Sequence, residues 1–374
     1  MKEGWKIVKL GEVCDFEGGS QPPKSEWTKE PCEGYVRMLQ IRDFTQSRKA
    51  DVEYVKISKK LRLCKANDIL IGRYGASVGK ILTGLEGAYN VAIIKSIPDE
   101  TRIIKPYIRR FFEAPNFQSL LFKVCTQRAA QAGFSKEDIV DTEFSLPPLE
   151  EQHRIVSILD ASFEKIDALK KNAEENLKNA KALFQQVLAQ ELKPKEGWVE
   201  KKLGEFAYMK AGDFVKASDI HTNPDEGLFP CYGGNGLRGY VSEPNQEGDY
   251  CLIGRQGALC GCIHRVSGIY RTTEHAVIVK PYEAIPTTLV YYLLISLDLN
   301  KYATGAAQPG LSVKNISENV IISIPPLSEQ HRIVRTLDTL SEKCRRLEQV
   351  AQQTIRECDA LKQSILRQAF SGEL

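Results

Sequence analysis

The 374-residue chain has no stretch near the roughly 20 uninterrupted apolar residues needed to cross a bilayer, and its start, Met1-Lys2-Glu3-Gly4-Trp5-Lys6, leads into no apolar signal core. These absences set the expectation of a cytoplasmic protein with no membrane partner. Net charge is low too: +3 is too small to announce nucleic-acid binding by itself, so that case has to rest on local charge. Familiar catalytic signatures are missing. Gly75-Ala76-Ser77-Val78-Gly79-Lys80-Ile81 is one residue short between its glycines for a phosphate loop, and Ile81 lacks the hydroxyl that would hold magnesium. There is no Asn/Asp-Pro-Pro-Tyr string of the amino-methyltransferase kind. Cysteine is not scarce, but the ten residues are scattered, which in a cytoplasmic chain reads as reduced, buried thiols. Cys260-Gly261-Cys262 with His264 nearby lacks a second pair at ligand spacing, so no metal site is expected.

What the chain does contain is a repeat. Pro147-Pro148-Leu149-Glu150-Glu151-Gln152-His153-Arg154-Ile155-Val156 returns as Pro325-Pro326-Leu327-Ser328-Glu329-Gln330-His331-Arg332-Ile333-Val334, 178 residues later. Lys2-Glu3-Gly4-Trp5 returns as Lys195-Glu196-Gly197-Trp198. The period is too long for a solenoid and describes two copies of one large module. Between the markers, β-branched runs and Gly-rich turns such as Asp68-Ile69-Leu70-Ile71-Gly72 and Tyr250-Cys251-Leu252-Ile253-Gly254 read as short strands in a mixed α+β domain. With 42% hydrophobic and 26% charged residues, the whole is a globular composition.

Each Pro-Pro-Leu string opens a stretch free of Gly and Pro, a helix-start signature followed by a helix of about 40 residues and about 60 Å. Every seventh position gives Leu159, Ile166, Ala173, Ala180, Val187 and Leu337, Cys344, Ala351, Cys358, Ile365; three further on stand Ser162, Leu169, Asn176, Leu183, Gln190 and Leu340, Leu347, Thr354, Leu361, Gln368. The two seams are in heptad register, which favours mutual antiparallel pairing over two helices lying on separate domains, with Asn176 and Thr354 as a polar pair in mid-seam. The ends nearly close a loop, since Glu191-Leu192 precedes Lys193-Pro194-Lys195-Glu196-Gly197-Trp198 much as Glu373-Leu374 would precede Met1. Four residues, Ala369-Phe370-Ser371-Gly372, have no counterpart before Glu191, so a central helix about one turn shorter is expected.

Candidate chemistry lies in the loops. Ile71-Gly72-Arg73-Tyr74-Gly75-Ala76 and Ile253-Gly254-Arg255-Gln256-Gly257-Ala258 are of one design. Glycines there allow a sharp turn that projects the arginine outward, suited to guanine or phosphate, with Gln256 suited to adenine; a plain turn with a solvated arginine is the alternative. Arg128 and Gln131, in Thr126-Gln127-Arg128-Ala129-Ala130-Gln131-Ala132-Gly133, and Gln308, in Ala306-Ala307-Gln308-Pro309-Gly310, belong to a second loop type that could read a base or cap a turn. Tyr232-Gly233-Gly234-Asn235-Gly236-Leu237-Arg238 interleaves aromatic, amide and basic groups, as either a nucleic-acid contact or a hairpin tipped by Asn-Gly. Lys80 adds a cation beside the first loop. His153 and His331, without a partnered nucleophile, read as capping or packing residues, or as part of a partner surface.

These residues resemble one family, the specificity subunits of Type I restriction-modification enzymes. The likeness covers essentially the whole chain: the doubled Pro-Pro-Leu-x-Glu-Gln-x-Arg-Ile-Val string, the Ile-Gly-Arg-x-Gly-Ala loops and Ala-Ala-Gln-x-Gly before each Pro-Pro. It implies a non-catalytic reader of double-stranded DNA, with target-recognition domains at residues 1–146 and 194–324 and spacer helices at 147–193 and 325–374. Arg73, Tyr74, Lys80, Arg128, Gln131, Tyr232, Asn235, Arg238, Arg255, Gln256 and Gln308 are the candidate DNA contacts. Glu151, Gln152, His153, Arg154, Glu329, Gln330, His331 and Arg332 would meet two methyltransferase subunits. The resemblance implies no cofactor in this chain; S-adenosylmethionine, ATP and magnesium belong to the methyltransferase and restriction (translocase-nuclease) partners. The rival reading is a stand-alone DNA-modifying enzyme or nuclease fragment using Asp51, Glu53 and Lys56. Exchanging residues 1–146 for another member's first domain is expected to alter one half of the recognised sequence, read by mapping methylated adenines; a change in both halves would contradict the modular plan.

Overall fold

A computed structural model describes residues 4–46, 51–127, 133–257, 259–305 and 309–374. It divides into two compact units, Met1–Glu174 with Gln352–Leu374, and Glu175–Ala351. The division runs through the middle of both long helices, Leu149–Glu191 and Leu327–Ser371, so each unit is a globular domain plus half of each helix. The mixed α+β class and the doubled plan are as the sequence predicts.

The paired markers have a structural reason. In the first unit Lys6–Lys9, just after Trp5, pairs antiparallel with Glu143–Leu146, just before Pro147; in the second, Val199–Lys202 pairs with Ile321–Ile324 in the same way. Each globular domain is therefore clasped at its two ends where the helix begins. Inside, each has a four-stranded antiparallel sheet, ordered Cys14–Gly18, Ile93–Pro98, Ile69–Gly72, Ile81–Leu82 in one and Ala207–Ala211, Ala276–Pro281, Tyr250–Gly254, Ile263–Val266 in the other. The continuous apolar runs read as strands are buried on both faces, with Cys251, Leu252 and Ile253 fully inaccessible. A second sheet in each reader contains one parallel pair, Tyr35–Leu39 with Gly87–Tyr89 and Phe229–Gly233 with Ile269–Thr272.

The core of each unit draws on both long helices. In the first, Leu159, Phe163 and Ile166 share a cluster with Cys358, Leu366 and Ala369 and with Phe111, Phe112 and Phe117 of the reader. In the second, Leu188 and Leu192 meet Ile333, Leu337 and the reader's Tyr292 and Leu293. The helices run antiparallel, since Asp167 meets Lys362 (2.5 Å) while Lys170, further along, meets Asp359 (2.6 Å), further back.

The seam differs from the expected one in its second row. Leu159, Ile166, Ala173 and Ala180, and Leu337, Cys344, Ala351 and Cys358, are buried as predicted. Three further on, however, Leu169, Leu183, Leu347 and Leu361 are between 45% and 56% exposed, and Asn176 is exposed as well. The covered row lies four further on: Phe163, Lys170, Leu177 and Phe184, with Ser341, Glu348, Ile355 and Lys362. Both spacings adjoin the first row on a helix, and apolarity favoured the leucines. Lys170 and Lys362 take the inner row because their aliphatic stems cover apolar surface while their ammonium groups pair with Asp359 and Asp167. The helices contain 43 and 45 residues, a difference of two rather than the expected turn. The unmatched residues serve packing, because Phe370 lies 5.1 Å from Tyr107 and 5.5 Å from Phe111 between ring centroids.

The glutamine of each Pro-Pro string clamps reader to helix. Gln152, fully buried, donates from Nε2 to the carbonyls of Arg102 and Pro147 (2.9 Å each) and accepts at Oε1 from the Ile104 amide (2.9 Å). Gln330 donates to Pro325 O (3.0 Å), but its Oε1 has no partner among the described residues. The residue preceding the neighbouring helix there is Pro286, where the first unit has Ile104, and proline has no amide proton to give. Gln152→Leu should cost about 3 kcal/mol in urea titration, because it strands three buried backbone groups, and Gln330→Leu only about 1 kcal/mol.

Candidate nucleic-acid interface

In each unit the Ile-Gly-Arg loop leaves the central sheet at a glycine that no other residue can replace. A Cβ on Gly72 would lie 2.2 Å from Ser77 O, and one on Gly254 2.1 Å from Gly234 O. The strand end is closed by matched backbone bonds, Gly72 N to Lys80 O (2.9 Å) and Gly254 N to Cys262 O (2.8 Å). Close approach of chain to chain therefore accounts for the first glycine of the motif.

The structure joins the two loop types that the sequence showed separately. Tyr74 forms an isolated β-bridge with Gly133, and Gln256 one with Gly310. Arg73 does not project freely, contrary to expectation. It is half-buried, donating from Nε to Phe134 O (3.0 Å) and from Nη1 to Val91 O (3.3 Å), with its guanidinium 5.1 Å from the Tyr74 ring centroid. A five-donor fork is the side chain that can tie three loop segments together. Arg255 is half-buried in the same place, its Nε enclosed and without a partner among the described residues. Lys80 and Gln256 are exposed.

In the second unit Gly234 and Asn235 form the two-residue tip between Phe229–Gly233 and Gly236–Val241, the hairpin that was the structural alternative for this segment. Asn235 and Arg238 are exposed on it, whereas Tyr232 packs edge-on against Tyr270 (5.7 Å) and burial raises its phenol. Arg238, Arg271 and Glu274 all lie within electrostatic reach of the Cys231 thiol. Arg128, Gln131 and Gln308 lie outside the described residues.

The proposed partner residues divide. His153 and His331 are exposed at the helix starts. Gln152, fully buried, and Gln330, 6% exposed, are internal clamps with almost no surface to offer a partner, a correction to their expected role. Arg154 bonds Glu151 bidentately (2.6 and 2.7 Å) and Leu374 O (3.0 Å); Arg332 meets Glu191 (2.9 Å) and Glu329 (3.7 Å). Each arginine thus ties one helix start to the other helix's end. Cys262 Sγ donates to Gly234 O (2.8 Å) beside His264 Nε2 (3.4 Å), and burial raises the thiol, which opposes the thiolate a zinc ligand requires. Of the rival acids, Glu53 is taken up by Lys24 (2.5 Å), Arg42 (2.6 Å) and Gln40 (2.9 Å); burial works against its ionisation, yet these donors hold it below the ordinary carboxylate range.

A family model described as "Type I restriction modification DNA specificity domain" matches residues 2–179 and again 195–357. The chain belongs to the Type I restriction-modification DNA specificity family. The EcoprrI specificity subunit of Escherichia coli is 42% identical over 139 residues, 37% of this chain and 34% of that subunit, so this match spans only about a third of the relative. The MjaVIII specificity subunit of Methanocaldococcus jannaschii is 23% identical over 100% of this chain and 93% of its own length. Two solved structures share the fold at 21% identity and 100% coverage of this chain: one from a study of complex assembly and conformational transition in a type I R-M system (TM-score 0.80, 99% of that chain), and the HsdS subunit from Thermoanaerobacter tengcongensis (TM-score 0.54, 98% of that chain).

Sequence reading missed the turns at residues 90–92 and 273–275, which sit against the Ile-Gly-Arg loops in both units. No repeated residue marks them, so only the backbone pairing brings them to notice. Arg73→Lys keeps the charge but loses the fork, and should destabilise the first unit by about 1–2 kcal/mol in denaturant titration.

Proposed function

We propose that each unit reads one part of a split double-stranded DNA sequence and that the chain itself is non-catalytic. The observation that carries this reading is the doubled edge: in each unit an Ile-Gly-Arg loop and a Gly-bearing second loop are bridged side by side. A major-groove reader needs such a rigidly held edge of mixed donors and acceptors. Arg73, Tyr74 and Lys80 in one unit, with Asn235, Arg238, Arg255 and Gln256 in the other, are its proposed contacts, and Arg128, Gln131, Tyr232 and Gln308 complete the set.

The long helices, which contribute to both units, set the gap between the two recognised parts and dock two methyltransferase subunits, which bring S-adenosylmethionine. The exposed row Leu169, Leu183, Leu347 and Leu361 supports docking, as does the exposure of His153 and His331 at the helix starts. The restriction subunits, with ATP and magnesium, join this assembly, and the complex works in the cytoplasm.

The purified chain is expected to methylate nothing alone and to confer sequence-specific adenine methylation once its methyltransferase subunits are added. Methylation by the chain alone, or magnesium-dependent DNA cleavage by it, would overturn the reading in favour of an enzyme.

A further inference from the structure

The turn that follows the parallel strand of each reader has one backbone and two chemistries. Five hydrogen bonds recur in matched positions. Arg73 N to Ala92 O (2.9 Å) answers Arg255 N to His275 O (3.0 Å), and Asn90 N to Leu39 O (3.1 Å) answers Thr273 N to Tyr232 O (2.9 Å). Ile93 N to Asn90 O and Ala276 N to Thr273 O both measure 3.0 Å. Gly19 N to Ile93 O (3.0 Å) pairs with Gly212 N to Ala276 O (3.0 Å), and Ser20 N to Tyr89 O (3.0 Å) with Asp213 N to Thr272 O (3.1 Å). Even the first side chain behaves alike, since Asn90 Oδ1 and Thr273 Oγ1 are both enclosed and unpaired among the described residues.

On this common frame the next two residues differ in kind. The first unit presents Val91, 41% exposed, and Ala92. The second presents Glu274 and His275, whose side chains are 30% and 39% exposed, with Oε1 and Nε2 3.0 Å apart, an ion pair when the imidazole is protonated. Glu274 Oε2 and His275 Nδ1 are enclosed without a partner among the described residues and so face the protein, which leaves Glu274 Oε1 and His275 Nε2 as the atoms that the partly exposed pair turns outward. A fixed backbone carrying exchangeable side chains, beside the Ile-Gly-Arg loop in both units, is what a base-discriminating element requires.

We propose that this turn discriminates bases in each unit, with Glu274 accepting a hydrogen bond from a cytosine amino group in one half of the target and Val91 meeting a thymine methyl in the other. A carboxylate only accepts, which suits the lone amino donor of cytosine better than adenine, whose N6 donor stands beside the N7 acceptor. His275 stands beside the carboxylate, with Nε2 3.0 Å from Oε1. An apolar, half-exposed valine has nothing to offer a base edge but contact with a methyl group. The inference rests on the DNA-reading function proposed above and adds to it the residues that set specificity.

The test uses the chain assembled with its methyltransferase subunits and maps methylated adenines on a random-sequence library. Replacing Glu274→Val together with His275→Ala installs the side chains that the same frame already carries in the first unit. Methylation of the original motif should fall about tenfold or more, the factor of a lost base contact, with relaxed preference at one base pair of one half and the other half unchanged. Val91→Glu should change one base pair of the opposite half. An unaltered motif in both, or a loss that is uniform over all base pairs, overturns the proposal. If the double variant is inactive, Glu274→Gln decides: a switch of preference towards adenine supports the proposal, and an unchanged motif or complete inactivity overturns it. Failure of the unaltered chain to direct any sequence-specific methylation would instead sink the underlying function.

Discussion

Neither reader closes its core alone, and this burial is the constraint from which the rest of the architecture follows. Phe111, Phe112 and Phe117 of the first reader need Phe163 and Ile166 from one long helix and Leu366 and Ala369 from the other. Burying side chains of this size contributes about 1.5–3 kcal/mol each, so the helix halves are part of each domain's stability rather than appendages to it. The helices in turn hold their seam by the same contacts, reinforced where Lys170 and Lys362 reach Asp359 and Asp167. Reader and helix are one folding problem, solved twice.

Around that core, the polar groups perform alignment. Gln152 and Gln330 lock the helix starts to the carbonyls beneath them, and Arg154 and Arg332 tie each start to the opposite helix's end. Tyr292 donates to Asp338 (2.6 Å) where, in the other unit, Arg110 donates to Asp160 (2.7 Å). The two aspartates stand at the same place in the repeat, 178 residues apart, yet receive a phenol in one unit and a guanidinium in the other. The helix side of the joint is the same in the two units while the side contributed by the globular domain differs.

Much of this was legible in the sequence, for reasons that can be named. Long-range repetition exposed the two modules, because a packing solution used twice preserves its Pro-Pro, Gln and Arg anchors. The central strands showed themselves as unbroken apolar runs, since both of their faces are covered. The seam's first row was visible and its second was not: Lys170 and Lys362 look like surface residues until Asp359 and Asp167 are placed, and Leu169 and Leu361 look like core until they are seen uncovered. The two loop types could be picked out one at a time, but their junction through Tyr74 with Gly133 and Gln256 with Gly310 depends on strand order, which local patterns do not encode.

The sequence by itself determined the family, the doubled plan, the long helices and the glycine-punctuated loops, all of which depend on spacing along the chain. The tertiary structure decided which face of each helix is covered, that the half-buried Arg73 also bonds two neighbouring loops, that Gln152 and Gln330 are internal clamps, and that residues 90–92 and 273–275 occupy equivalent turns. The physical reason is common to these cases. Each depends on which groups from distant parts of the chain come within hydrogen-bonding or van der Waals distance, and a side chain's burial or pairing is set by those neighbours rather than by its own chemistry.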